Sequence, residues 1–126
     1  MMKVRGVRGA TTASANERAA IIDATEELLR AMADANGIDP EDLAAVHLTT
    51  SPDLVAEFPA VAARERLGWV YVPLINSHEM AVPHGQALCI RALMLWNTEK
   101  SQREIRHVYL RDAVNLRKDI GAAAKK

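Results

Sequence analysis

The sequence has a single cysteine, Cys89, so it can form no internal disulfide and no multi-cysteine metal site, and it suits a reducing compartment. It has no surplus of either charge: 16 basic side chains balance 16 acidic ones over 126 residues. That balance argues against the bulk electrostatic attraction on which nucleic-acid and membrane-surface binding rely, so any anion site has to be local. No apolar run is long enough to span a bilayer, and the first residues hold no stretch of signal-peptide length; the expectation is a cytoplasmic protein. The glycine pair in "RGVRG", residues 5–9, lacks the lysine–serine pair of a phosphate-binding loop and does not lead directly into a helix. The histidines His47, His78, His84 and His107 have no tight zinc-binding spacing. The serines Ser51, Ser77 and Ser101 lie in no nucleophile-elbow context. A metal centre and an activated nucleophile are both poorly supported.

What the chain does have is an ordinary globular composition, 49% hydrophobic, and a length that fits one domain. Residues 2–12 mix β-branched residues with glycine and read as a first strand. A helix follows, with Ser14 and Glu17 at capping-box spacing and Ile21, Thr25, Leu28, Leu29 and Met32 at intervals of three and four, stopped by Gly37. Asp39 and Pro40 restart the chain as N-cap and first helical residue, before a strand near 46–50. Residues 53–68 read as a short helix or pair of turns interrupted by Pro59 and closed by Gly68. "WVYVPLIN", 69–76, is β by composition, and 77–86 is a loop broken by Pro83 and Gly85. The apolar run "ALCIRALMLWNT" suits a buried helix or a buried strand; it is read as a strand that pairs with the following "IRHVYL". The order β-α-β-α-β-β-β predicts an α/β domain, a mixed sheet with helices on one face and the other left for a partner chain. One domain over 1–120 is expected, with a disordered tail at 121–126.

The cations raise the functional question. Arg5 and Arg8 open the chain with no acidic residue nearby in sequence, and arginine is shaped to grip carboxylates or phosphates. Arg91 interrupts an apolar run, where an unpaired charge is costly to bury. It is either a strand-edge arginine that snorkels to water or a cation held on a rigid strand, facing a cavity it shares with Cys89. Glu79 stands alone after a β segment and reads by itself as solvated. Phe58 and Tyr109 read as core residues, Cys89 as a packing residue, and Arg64 with Arg66 as an exposed helical face.

Five segments in register carry a family resemblance: "VRGVRGATT", "TSPDLVAEFPAVAARE", "GWVYVPLINSHEM", "CIRALMLWNT" and "IRHVYLRDAVNLRKD". From about Val4 to Asp119 the chain resembles the monofunctional chorismate mutases of the AroH type. The resemblance implies a homotrimeric α/β fold whose three sheets form a barrel-like core, with active sites in clefts between subunits. It implies the cofactor-independent Claisen rearrangement of chorismate to prephenate, on the way to phenylalanine and tyrosine. By the same resemblance, Arg8 binds a substrate carboxylate and Arg5 is peripheral. Arg91 faces the ether oxygen of the breaking bond, and Glu79 accepts the ring hydroxyl. Tyr109 lies near a carboxylate, and Phe58 packs on the ligand from the other side of the cleft. Arg64 sits at the mouth, Leu116 and Arg117 belong to a mobile tail over the site, and Cys89 lies close to the ring hydroxyl. Asn76 stands where some relatives carry a cysteine, and Val61 where some carry a cleft-mouth lysine.

A pericyclic rearrangement needs neither proton transfer nor a covalent intermediate, so a site without nucleophile or metal suffices for it. Two alternatives keep the fold and change the role: an imine-hydrolysing enzyme on a similar trimeric scaffold, and a non-catalytic trimeric module that binds an aromatic-pathway acid.

Overall fold

The computed structural model describes residues 1–116. Strands β1 (Lys3–Thr12), β2 (Leu43–Thr50), β3 (Leu74–His78), β4 (Cys89–Thr98) and β5 (Val108–Tyr109) form one mixed sheet in the order β3-β2-β4-β1-β5. Helices α1 (Arg18–Asn36) and α2 (Ala60–Glu65) pack on one side of it. The "ALCIRALMLWNT" run is the sheet's central strand, antiparallel to both β1 and β2. A strand has a side-chain period of two, and here Ile90, Ala92, Met94 and Trp96 turn to the helices while Arg91, Leu93 and Leu95 turn away. The core joins Leu28, Leu29 and Met32 of α1 to Val7, Val46, Leu48 and Met94 of the sheet. Each such side chain contributes roughly 1.5–3 kcal/mol by leaving water. A Cβ at Gly9 would collide with Met32 and crowd Leu28, so glycine is what lets α1 lie close against β1 beside Arg8.

Several local expectations give way to tertiary structure. The helix starts at Arg18 with Glu17 as an N-cap lacking a side-chain cap bond, so the Ser14–Glu17 capping box does not form. Instead, Asn16 Oδ1 accepts the amides of Val55 and Ala56 at 2.9 and 3.0 Å, which holds residues 13–16 against a distant loop. Gly37 ends α1 in the left-handed region, φ 68°, as a C-terminal glycine should. Asp39 caps only a 3₁₀ turn, Pro40–Asp42, and β2 begins earlier than expected, at Leu43. Pro59 does not interrupt α2 but is its N-cap. In "WVYVPLIN" the strand starts only at Leu74, just after Pro73, whose carbonyl accepts the Val46 amide at 2.9 Å but which has no N–H to donate; Trp69 folds into the core and Tyr71 is 94% exposed. Nor does β5 pair with β4. Both edges of β4 are filled by β1 and β2, so β5 adds in parallel to β1 at Gly9 and Ala10. The expected domain end near 120 and the tail 121–126 lie outside the described residues. Among the described residues, no helix is long and apolar enough to cross a membrane.

Candidate active site

The face turned away from the helices carries the polar chemistry. Strand register sets Tyr109, Ala10, Arg91, Thr49 and Ser77 in one row across all five strands. The next row holds Arg8, Leu93, His47 and Ile75. Apart from Ile75, these two rows floor a cleft of about 480 Å³ that Arg8, Glu79, Arg91 and Tyr109 line together. Four residues far apart in sequence thus meet because β1, β4 and β5 are neighbours and β3 ends near them. Arg91 and Glu79 also border a second cavity of about 550 Å³, with Cys89, Ser51, Asp53 and the 79–87 loop on its wall.

Arg91 Nε lies 3.8 Å from Glu79 Oε2, with each side chain about two-fifths exposed (40% and 41%). The separation exceeds hydrogen-bond length, so this is a loose Coulombic pair with room for a ligand to join it. Glu79 Oε1 accepts its neighbour's amide, Met80 N–H, at 2.9 Å, which steadies the carboxylate. Beside them the Cys89 thiol is pushed up in pKa, chiefly by burial; the adjacent Arg91 guanidinium pulls it partly back. A thiol of this kind is a neutral wall, not a nucleophile.

Arg8 projects from β1 and is half-buried, while its backbone N–H donates to His107 Nδ1 at 2.9 Å. Arg5 turns elsewhere, its Nε donating to the Lys100 carbonyl at 3.0 Å. Tyr109 is buried against Ala10 and Ala113, as a core residue would be, yet it also borders the cleft; Leu116 packs on the same small cluster. Arg117 lies outside the described residues.

Phe58 is not the core residue its composition suggested, being 65% exposed. It lines a third groove of about 410 Å³ with Asn76, on the far side of β3. That groove shares Ser77 and His78 with the Arg8–Arg91 cleft, but Phe58 and Asn76 line it without Arg8, Arg91 or Tyr109. Asn76 Oδ1 accepts the Ala60 amide at 3.0 Å and so holds the start of α2. Arg64 is exposed in the last turn of α2. Val61 is buried against Ile22. Reading by sequence missed Thr49, Ser77 and His47 on the cleft floor; His47 Nε2 and Ser77 Oγ are 2.8 Å apart. Only the register between strands reveals them.

A family model described as chorismate mutase type I matches residues 4–120. A protein named chorismate mutase AroH from Thermus thermophilus is 50% identical over 121 residues, 95% of this chain and 98% of its own length. Its namesake from Bacillus subtilis is 44% identical over 119 residues, 94% of each. Among solved structures, a chorismate mutase from Clostridium thermocellum superposes with a TM-score of 0.85 at 42% identity, covering 87% of this chain and 97% of its own.

Proposed function

The chain belongs to the chorismate mutase type I family, and we propose that it performs the rearrangement of chorismate to prephenate in the Arg8–Glu79–Arg91–Tyr109 cleft. It is an isomerase. The single observation that carries the site is the Arg91 guanidinium, projecting from the sheet's central strand into a cleft with a carboxylate at 3.8 Å.

In the transition state the C–O bond lengthens before the new C–C bond is complete, and negative charge gathers on the ether oxygen. Arg91 stabilises that charge from a fixed position, an interaction stronger in the transition state than in bound substrate. Glu79 accepts the ring hydroxyl, with Cys89 beside it. Arg8 and Tyr109 grip the carboxylates and hold the flexible substrate in its compact, reactive form. Two arginines against one glutamate leave the cleft cationic, which suits a substrate with two carboxylates.

Phe58, Asn76 and Arg64 belong to the opposite wall, supplied by a neighbouring subunit of a homotrimer, with Leu116 covering the site. Two features support this assembly. Leu93, Leu95 and Ile75 are exposed on the face that carries the cleft, and Phe58 is exposed in a groove of its own. Asn76 reaches the substrate through its NH₂ or its backbone, because its side-chain oxygen is engaged with α2. We place the enzyme in the cytoplasm, in aromatic amino-acid biosynthesis. Purified protein should consume chorismate, followed by loss of its absorbance, without added cofactor. It should elute at a mass near three times the 13.8 kDa chain. Absence of turnover, or a monomer at full activity, would overturn the respective half of the proposal.

A further inference from the structure

Glu79 and Cys89 bracket a loop whose own bonds are few: Val82 to Met80 and Gly85 to Val82. The pair that matters, Glu79 and Arg91, sits at its two ends, so something outside the loop has to hold those ends in register. Up to Thr50 the ladders of β2 with β3 and β4 do so, and beyond it residues 51–53, together with the Ala13 amide donating to the Leu88 carbonyl at 2.8 Å, hold the entry to β4. At one end, the Thr50 carbonyl accepts the Glu79 amide at 2.8 Å. At the other, Leu88 N–H donates to Asp53 Oδ2 at 2.9 Å and Cys89 N–H to Ser51 Oγ at 2.8 Å. Ser51 N–H returns a bond to the Cys89 carbonyl at 2.9 Å, and the Ser51 hydroxyl donates to Asp53 Oδ1 at 2.5 Å.

Two consecutive amides are therefore captured by one serine–aspartate unit. Leu88 needs that capture: its φ of 52° lies in the left-handed region, a costly conformation for a branched side chain unless its surroundings enforce it. The unit is itself well held. Ser51 is buried, and the Asp53 carboxylate titrates below its ordinary range because the Ser51 hydroxyl, and then the Leu88 amide, bond its charged form. Cys89 and Arg91 lie two residues apart on the same strand face, so a shift at residues 88–89 is felt at the thiol wall and at the guanidinium beside it.

We propose that Ser51 and Asp53 are positioning residues that latch the entry to β4 and thereby set the Glu79–Arg91 spacing used in the reaction. The inference rests on the proposed role of Arg91. Misplacing a catalytic group by about an ångström can cost up to about 10²-fold in rate. Ser51→Ala and Asp53→Ala should lower kcat roughly ten-fold or more. KM should stay within about two-fold, because Arg8 and Tyr109 are anchored on β1 and β5. Ser51→Thr, which keeps the hydroxyl, should restore kcat. Rates are compared well below each variant's melting temperature, and hydrogen exchange at the Leu88 and Cys89 amides should quicken in the alanine variants. Should Asp53→Ala not fold, Asp53→Asn preserves the shape and one acceptor and should show the same kcat-selective loss, smaller in size. Arg91→Ala is assayed alongside. If it is impaired while Ser51→Ala and the folded Asp53 variant keep parental kcat, or lose only KM, the latch is wrong. If Arg91→Ala itself turns over normally, the failure lies in the reading of the cleft.

Discussion

Removing the Arg91 guanidinium should separate stability from catalysis, and the structure sets both magnitudes. In the folded protein the charge has one carboxylate at 3.8 Å, and both partners are about two-fifths exposed. Exposed pairs of this kind contribute about 0–1 kcal/mol after screening and side-chain ordering, so Arg91→Ala should shift Tm by no more than a few degrees. The kinetic cost is far larger. One preorganised neutral donor aimed at a developing oxyanion is worth about 10²–10³ in kcat. Charge-assisted bonds are roughly twice as strong as neutral ones, so the loss for Arg91→Ala should reach about 10³ or more. Arg91→Lys keeps a positive charge but loses the planar fork, and it should recover only part of that loss. Both are measured by chorismate absorbance at saturating substrate, with a thermal melt of the same sample. A folded Ala or Lys variant within ten-fold of parental kcat would refute transition-state stabilisation by residue 91. So would a rate that fell only in proportion to the unfolded fraction.

Glu79→Gln should lower kcat by about 10- to 100-fold, the worth of a hydrogen bond to a charged group, with an unchanged melt; a parental rate would remove Glu79 from the site. Gly9→Ala should destabilise by about 1–3 kcal/mol in denaturant titration, because the new methyl group drives into Met32 and Leu28; an unchanged midpoint would show that α1 is not seated tightly on β1. Burial raises the Cys89 pKa, so folding favours the neutral thiol. The stability this provides is complete below the unfolded thiol's pKa, near 8.5, and is lost as pH rises through the higher native value. Alkylation of the native protein near pH 8 should accordingly be much slower than that of the urea-unfolded chain, and equal rates would contradict the burial.

Legibility in the sequence followed the range of the forces involved. The period of three and four in α1, the glycine that ends it and the β character of "CIRALMLW" are local, and all three appear in the structure. The start of α1 was misjudged because Asn16 serves a loop some 40 positions away, at Val55 and Ala56. The pairing of β5 was misjudged because the vacancy it fills lies beside β1, and only the finished sheet shows that β4 has no free edge. Within the cleft, Arg91 was conspicuous as a charge in an apolar alternation, and Arg8 as a cation without a local partner. Thr49, Ser77 and His47 belong to the same surface, yet nothing near them in sequence singles them out; they become site residues only through cross-strand register. The roles of Glu79 and Phe58 came from resemblance alone, since a lone carboxylate and a lone aromatic each have a plainer local explanation.

The position of the cleft on the uncovered face follows from the same alternation that builds the core. Once Ile90, Ala92, Met94 and Trp96 meet the helices, Arg91, Leu93 and Leu95 have to face outward. An arginine on the inner face would have to be desolvated among Met32, Leu48 and Met94, at a cost no single carboxylate would offset. On the outer face it stays charged and costs the fold little, but water weakens its field: the attraction between unit charges about 4 Å apart falls from about 4 kcal/mol at an effective dielectric of 20 to about 1 in bulk water. The catalytic role proposed for Arg91 therefore requires a cover that excludes water without burying the charge unpaired. In the proposed trimer a neighbour's Phe58 wall and the bound substrate supply that cover together. Cutting Phe58 back to alanine in a folded assembly should consequently raise KM and also lower kcat, because it thins the dry shell around a charge it never touches. A rise in KM alone would mean that the cleft is dry without it.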